Sequence, residues 1–213
     1  MSETMVPSSA VRSAERAVEA RYSVYLEEAQ RLIQAGFDEI SDKGSVDPRV
    51  SDIVRRAGLS NKAFYRHFKS KEELLLAVLE EGMQRRRDDF DTHMAAASSP
   101  LERVRIWILR VAELAVDPES ASGTRPLLVY QATLAENLGP QVRSNVDRLR
   151  SPLEQALSEA KVAGELPDID LARASDHVYH ATWGWVHGRI LAYEQPTRDE
   201  AEALADFILR GLR

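Results

Sequence analysis

Apolar residues in the first part of the chain recur at three- and four-residue steps. Val18, Tyr22, Leu26, Ala29, Ile33, Phe37 and Ile40 share one helical face, which predicts a long first helix. The polar loop SDKGSVDPR follows. Within it Asp47-Pro48 reads as a helix start, with Asp47 capping free amides and proline preorganised for the first helical position. A second helix is expected over about Arg49 to Ala57, stopped by Gly58, and a third over about Asn61 to Phe68, capped by Ser60. Ser70 and Glu73 have the spacing of a capping box, opening a fourth helix that runs through Met94.

The low-complexity stretch AAASSP, ending at Pro100, is the strongest linker signal. Further helices are expected over about Leu101 to Val116, Arg125 to Leu138, Gln141 to Ala163, Leu171 to Glu194 and Arg198 to Leu212. Their breaks are DPESASG, Gly139-Pro140, the turn GELPD and Gln195-Pro196. No alternating apolar pattern is long enough for a sheet, and no internal repeat is visible. The expected fold is all-α, with a three-helix N-terminal domain over residues 1–70 and a C-terminal helical bundle over 71–213. A helix from 71 to about 95 connects the two.

Composition narrows the function classes. The 213 residues are 44% hydrophobic and 29% charged, sufficient for a buried core in a soluble chain. Cysteine is absent, which excludes disulfides, thiolate metal sites and cysteine nucleophiles. No apolar run approaches the roughly 20 residues of a membrane span. The N-terminus, MSETMVPSSAVRSAER, lacks an apolar signal core and reads as an untargeted, frayed start, so a cytoplasmic location with no membrane partner is expected.

The net charge of −6 argues at first against a polyanionic partner, but its distribution reverses the argument. Between Arg49 and Lys71 lie Arg49, Arg55, Arg56, Lys62, Arg66, Lys69 and Lys71 against Asp52 alone, a local charge of +6. Such an island concentrates attraction to phosphate in one place, although chance clustering on a solvated face would look the same by charge alone. The run QRRRDDF does not extend the island, because Glu81, Arg85 and Asp89 are spaced four apart as an exposed ion-pair ladder.

Helices two and three are short and joined by a tight glycine-containing turn, the pattern of a helix-turn-helix. Phe64 and Phe68, with Ile53 and Leu59, form the core face; Lys62, Ala63 and Arg66 fall opposite, flanked by Tyr65 and His67. Asn61 and Lys62 occupy the first turn, the end that meets base edges in the major groove. Tyr65, His67 and the lysines suit phosphate oxygens, and Lys71 with Ser70 opens a helix whose free amides also favour phosphate.

The stretch VSDIVRRAGLSNKAFYRHFKSKEELLLAVL, from Val50 to Leu79, resembles the DNA-binding segment of TetR-type transcriptional regulators. The resemblance implies an all-helical homodimer with three N-terminal helices on an operator half-site and a C-terminal body for a small effector. It implies that Tyr65, His67 and Lys71 hold phosphates, that Asn61, Lys62 and Ala63 face the groove, and that the start of helix two, at Arg49 and Ser51, also touches DNA. Ser60 and Arg66 complete the expected DNA face. The sequence departs from the family pattern at Arg49, where Thr or Ser is usual, and in a longer loop before helix two, which leaves open which residue there meets phosphate.

The C-terminal half carries its own signals. Leu171, Val178, Trp185 and Ala192 repeat every seven residues, as do Ala174, Ala181 and Gly188, a seam suited to close helix packing. With Leu204 and Ile208 of the last helix these residues are the expected dimer interface; the competing assignment is that they only close the subunit's own core. His177, His180 and His187 lie on another stripe, and with Trp107, Tyr130 and Trp183 they are the expected lining of an effector pocket. No carboxylate or thiolate accompanies them at ligand spacing, so neither a metal nor another cofactor is expected.

The leading function is thus a dimeric, ligand-responsive DNA-binding regulator, a repressor released by a small hydrophobic effector from double-stranded operator DNA. The rivals are an all-helical carrier or enzyme with an incidental basic patch, a protein-binding adaptor and a metal-sensing regulator. Against catalysis, the sequence holds no glycine-rich phosphate loop and no Gly-x-Ser-x-Gly elbow, and no catalytic residue is expected.

Overall fold

The computed structural model describes residues 9–43 and 47–213, with the side chains at 10–12, 14, 130–135, 137, 138, 141 and 142 outside that description. Eight helices run through the described residues: α1 (Ser9–Lys43), α2 (Val50–Ala57), α3 (Asn61–His67), α4 (Lys71–Met94), α5 (Pro100–Val116), α6 (Pro118–Val162), α7 (Leu171–Leu191) and α8 (Arg198–Gly211). None is long and apolar enough to cross a membrane among the described residues.

Local chemistry explains most boundaries. Gly58 ends α2 in the left-handed region at φ 64, with its own N–H bonded to Arg55 and the Leu59 N–H bonded to Val54 at 2.8 Å. This is a Schellman closure, and it makes the turn to α3 tight. Ser60 caps α3 by accepting from the Ala63 N–H, and Ser70 caps α4 by accepting from the Glu73 N–H. Ser99 and Asp117 do the same for α5 and α6, each followed by proline in the first turn.

Three expectations are corrected. α1 is helical from the first described residue, Ser9, inside the stretch read as frayed, and its apolar face is not buried throughout: Val18, Tyr22 and Leu26 are exposed, whereas Leu32, Ala35 and Ile40 are core. α2 has Arg49 at its cap position with no side-chain cap bond, because the Asp47 carboxylate pairs instead with Lys71; residues 44–46 of the preceding loop lie outside the described residues. The break expected over DPESASG shrinks to Asp117, which caps α6, and the break at Gly139-Pro140 is absent, since α6 runs on with Pro126, Pro140 and Pro152 inside it. An interior proline costs about 3 kcal/mol. Burial of Leu149, Leu153, Ala156, Leu157 and Ala160 along the same helix offsets that cost.

Two cores result. The first joins Leu32, Ala35 and Ile40 of α1 to Ile53 and Val54 of α2, Phe64 and Phe68, and Leu74, Leu75 and Val78 of α4. It therefore reaches past residue 70. The second centres on Trp107, fully buried, whose Nε1 donates to the Leu149 carbonyl at 3.1 Å and whose ring lies 5.8 Å from Phe90. α7 and α8 close it through Val178, Val186, Ile190, Ala205 and Ile208. α4 contributes to both cores, and α1 packs against α4 and α6.

Candidate functional site

The outward face of the helix-turn-helix carries Ser51, Arg55, Ser60, Asn61, Lys62, Tyr65 and Arg66, all exposed, with Arg49 beside it. Tyr65 is 62% exposed, although its ring edge rests on Phe64 at 5.2 Å. Arg49, Lys62 and Lys69 form no ion pair among the described residues, so their charge is directed to solvent. The rest of the island is partly neutralised, by Asp52 within it and by acids of α1 that the linear count left out. Arg56 pairs with Glu39 at 2.9 Å and with Asp42, both on α1; Arg55 pairs with Asp52 at 2.8 Å; Arg66 pairs with Glu28.

Two of the expected DNA contacts are placed differently. Ala63 is buried rather than presented on the outer face. The His67 side chain is only 2% exposed, and its Nε2 lies 2.9 Å from Glu28 Oε2 with the Tyr25 ring 4.1 Å away. A short helix packed on two sides has a narrower outer face than the helical wheel implies. Glu28 receives both His67 and Arg66, and these hydrogen bonds hold its carboxyl below the ordinary value of 4.5. α1 thus orients the third helix through Glu28 and through Tyr25, whose hydroxyl donates to the Arg66 carbonyl at 3.3 Å.

A second site lies where α1, α4, α5, α6 and α7 meet. A cavity of about 830 Å³ opens there, within the range of small-molecule sites. Ile33, Gln34 and Phe37 supply the α1 wall; Val78, Leu79, Gly82, Met83 and Arg86 the α4 wall; Leu127, Leu128, Val146 and Leu149 the α6 wall. A Cβ at Gly82 or Gly184 would meet nothing within 4 Å, so both glycines widen the cavity rather than relieve a clash.

Of the residues expected to line an effector pocket, His180, Trp183 and His187 line this cavity. Trp107 does not, being sealed in the second core, and His177 lies exposed elsewhere on α7. The side chain of Tyr130 lies outside the described residues. Burial pushes the His187 pKa down and raises the lining Tyr179 phenol to about 12, so that phenol stays a neutral donor. Among the described residues no cluster of ligating side chains suits a metal ion.

The polar lining was missed in the sequence. Asp89 leaves the expected ladder: Glu81 pairs with Arg85 at 3.1 Å, but Asp89 takes a two-pronged pair from Arg110 at 2.7 and 2.8 Å. Arg86 donates to the Arg110 carbonyl at 3.3 Å. A signal for this wall existed. Val78, Gly82, Arg86 and Phe90 are four apart on α4, so a glycine and an arginine interrupt an inward line between two buried residues.

Most residues of the expected dimer seam pack inside the subunit. Ala174, Val178 and Ile208 are buried in the subunit's own core, with Leu171, Trp185 and Leu204 packed against it. Of that set Ala181, Gly188 and Ala192 are exposed. The exposed seam of α7 is His177, Ala181, Gly184, Gly188 and Leu191, alternating four- and three-residue steps, and Phe207 of α8 is 70% exposed.

Residues 32–78, which contain the helix-turn-helix, match the sequence profile of bacterial regulatory proteins, tetR family. The HTH-type transcriptional regulator SrpR of Pseudomonas putida is 30% identical over 148 residues, covering 68% of this chain and 67% of that protein. The HTH-type transcriptional regulator BetI of Rhizobium meliloti is 38% identical over 77 residues, a match spanning 36% of this chain and only 38% of that relative's length. In fold, the chain is similar to FadR from Bacillus subtilis, solved in complex with stearoyl-CoA, with a TM-score of 0.68 over 86% of this chain and 96% of that one at 21% identity. A glycine-closed helix-turn-helix under a basic face, a helical body holding a cavity, and a relative matched over two thirds of its length lead to one assignment: the chain belongs to the tetR family of bacterial regulatory proteins.

Proposed function

We propose that the protein is a repressor that binds a near-palindromic operator as a homodimer and leaves it when a small, mainly apolar effector enters the cavity. The observation that carries this reading is the sharing of α1 and α4. Ile33, Gln34 and Phe37 of α1 and Val78 to Asp89 of α4 wall the cavity. Glu28 and Arg31 of α1 and Leu74 and Leu75 of α4 hold the helix-turn-helix. A ligand that favours one α1–α4 arrangement therefore shifts the equilibrium of the DNA-binding head.

On this reading Arg49, Ser51, Ser60, Tyr65, Arg66 and Lys71 meet the phosphate backbone, and Asn61 and Lys62 read bases. The dimer presents two such heads roughly 34–36 Å apart, one turn of DNA. The exposed α7 seam and Phe207 supply the subunit contact. The complex with stearoyl-CoA formed by FadR supports an effector with a long apolar portion. The protein acts on DNA in the cytoplasm and is not an enzyme, in keeping with relatives named as regulators.

Fluorescence anisotropy on an operator selected from random duplex tests the reading. Tight binding with a steep salt dependence is expected, and Lys62→Ala should relax base preference at one position by about 1–3 kcal/mol. Wild-type affinity, salt slope and sequence preference in both Lys62→Ala and Tyr65→Ala would overturn it.

A further inference from the structure

The charged groups around the cavity form a nearly complete set of pairs. Glu81 is matched by Arg85 at 3.1 Å, Asp89 by Arg110 at 2.7 Å, and Glu113 by Arg198 at 3.4 Å. Asp117 accepts the Ser120 N–H at 2.8 Å as the cap of α6. Every carboxylate of the lining is thus engaged. Arg86 is the exception on the basic side: it sits half-buried in the wall, and among the described residues its one side-chain hydrogen bond runs to the Arg110 backbone carbonyl, while Asp89 and Glu113 act on its charge without pairing with it. A guanidinium keeps its charge even when desolvated and offers five donors in a planar fork. Burial lowers the affinity of Arg86 for its proton without displacing it.

A second donor among the lining residues, on α7, lacks a partner. Trp183 Nε1 is buried with no acceptor among the described residues, while its ring packs on Tyr179 at 6.2 Å and His187 at 5.4 Å. Buried donors are nearly always satisfied in folded proteins, so each such group calls for an explanation. The remaining wall is largely aliphatic, through Ile33, Val78, Leu127 and Val146. The cavity therefore offers unspent hydrogen-bond donors, one of them positively charged, within an apolar enclosure, and its own acids have no unmet demand.

Taking the cavity as the effector site proposed above, we infer that it selects an amphiphilic organic anion, a monocarboxylate on an apolar body, whose carboxylate accepts from Arg86 and from Trp183 Nε1. A neutral alcohol of the same length lacks the charge to complement Arg86. An amine of the same length brings a second positive charge to an arginine with no acid to spare.

Decanoate, decanol and decylamine share one tail and differ in head charge, so they test this directly on the full-length protein. Binding is read by tryptophan fluorescence below the micellar range of each compound, and release of fluorescent operator is read in parallel. Decanoate is expected to bind about 10- to 100-fold tighter than decanol, the range of a charge-assisted hydrogen bond, with decylamine weakest. Arg86→Gln should erase the preference for decanoate over decanol. Arg86→Lys should restore part of it, and Trp183→Phe, which keeps the bulk and removes the donor, should weaken decanoate alone. Equal binding of the three compounds to the wild type, or retention of the preference in Arg86→Gln, overturns the anion inference while leaving an effector cavity. Failure of all three to bind or to release DNA overturns the effector reading and this inference with it.

Discussion

Arg31 of α1 spans to the turn of the helix-turn-helix, where its Nη2 donates to the Gly58 carbonyl at 3.3 Å and also to that of Ala57. A Cβ on Gly58 would stand 2.8 Å from the same Nη2. The end of α2 thus receives a cation where its last carbonyls are free, which the helix dipole favours. The position must also accommodate φ 64.

Gly58→Ala is expected to destabilise the protein by about 1–2 kcal/mol, the usual cost of a left-handed backbone for a residue with a Cβ. The clash adds little, because a flexible guanidinium can swing aside. Urea denaturation of Gly58→Ala in the wild-type and Arg31→Met backgrounds separates the two contributions. The penalty should persist nearly whole with Met at 31. Its disappearance there would show that the contact, not the backbone, demands glycine.

Glu28 gives the DNA-binding head a predictable acid limit. Its hydrogen bonds from His67 and Arg66 lower its folded pKa below 4.5, so folding favours the ionised form. That stabilisation is fully present above the ordinary glutamate value and is lost as pH falls through the depressed folded value. Unfolding followed by circular dichroism from pH 6 downward (roughly the carboxylate range) should show Glu28→Gln less stable than wild type at pH 6. The gap should close in acid. A constant gap across the titration would mean that the pair contributes nothing through charge.

The helix-turn-helix was legible because its determinants are local. Gly58, Ser60 and Ser70 act within three residues of themselves, and the apolar spacing of Ile53, Phe64 and Phe68 fixes the inner face. The burial of His67 was not legible, since the acid that receives it, Glu28, stands 39 residues upstream. The same holds for Arg56, which answers to Glu39 and Asp42 across a helix interface. The dipeptide Asp-Pro shows how context decides. At Asp117-Pro118 it caps a helix, whereas Asp47 is drawn to Lys71 and leaves α2 without a side-chain cap. The unbroken α6 and the cavity wall on α4 are tertiary outcomes, in which packing overrides the propensity of Pro140 and places Arg86 inward.

Gly82 separates stability from ligand capacity. It lies mid-helix on the cavity wall with open space where a Cβ would go. Gly82→Ala should stabilise the protein by about 0.5–1 kcal/mol through helix propensity alone and leave most of the cavity intact. Gly82→Phe should fill it. Calorimetric titration with an effector mimic should show near wild-type binding for Gly82→Ala and a loss of tenfold or more, about 1.4 kcal/mol, for Gly82→Phe. Equal binding by both variants would place the ligand elsewhere.

Association of subunits through the exposed α7 seam makes a prediction that distinguishes it from the seam first expected. Phe207, 70% exposed, and Ala181 are peripheral to the subunit's own core, whereas Val178 is 1% exposed and belongs to it. Phe207→Ser should leave the subunit's intrinsic stability within about 0.5 kcal/mol yet shift it toward monomer in sedimentation velocity. Ala181→Arg places an unpaired charge in the contact and should weaken association by about 3–5 kcal/mol. Val178→Ala should instead behave as a core truncation, lowering the melting temperature at any protein concentration through the cavity it leaves. The small residues of the seam explain why the first pair acts so selectively: Gly184 and Gly188 allow close helix approach, and a close interface tolerates an inserted side chain poorly. Dimers that survive Phe207→Ser and Ala181→Arg combined would move the subunit contact away from α7 and α8.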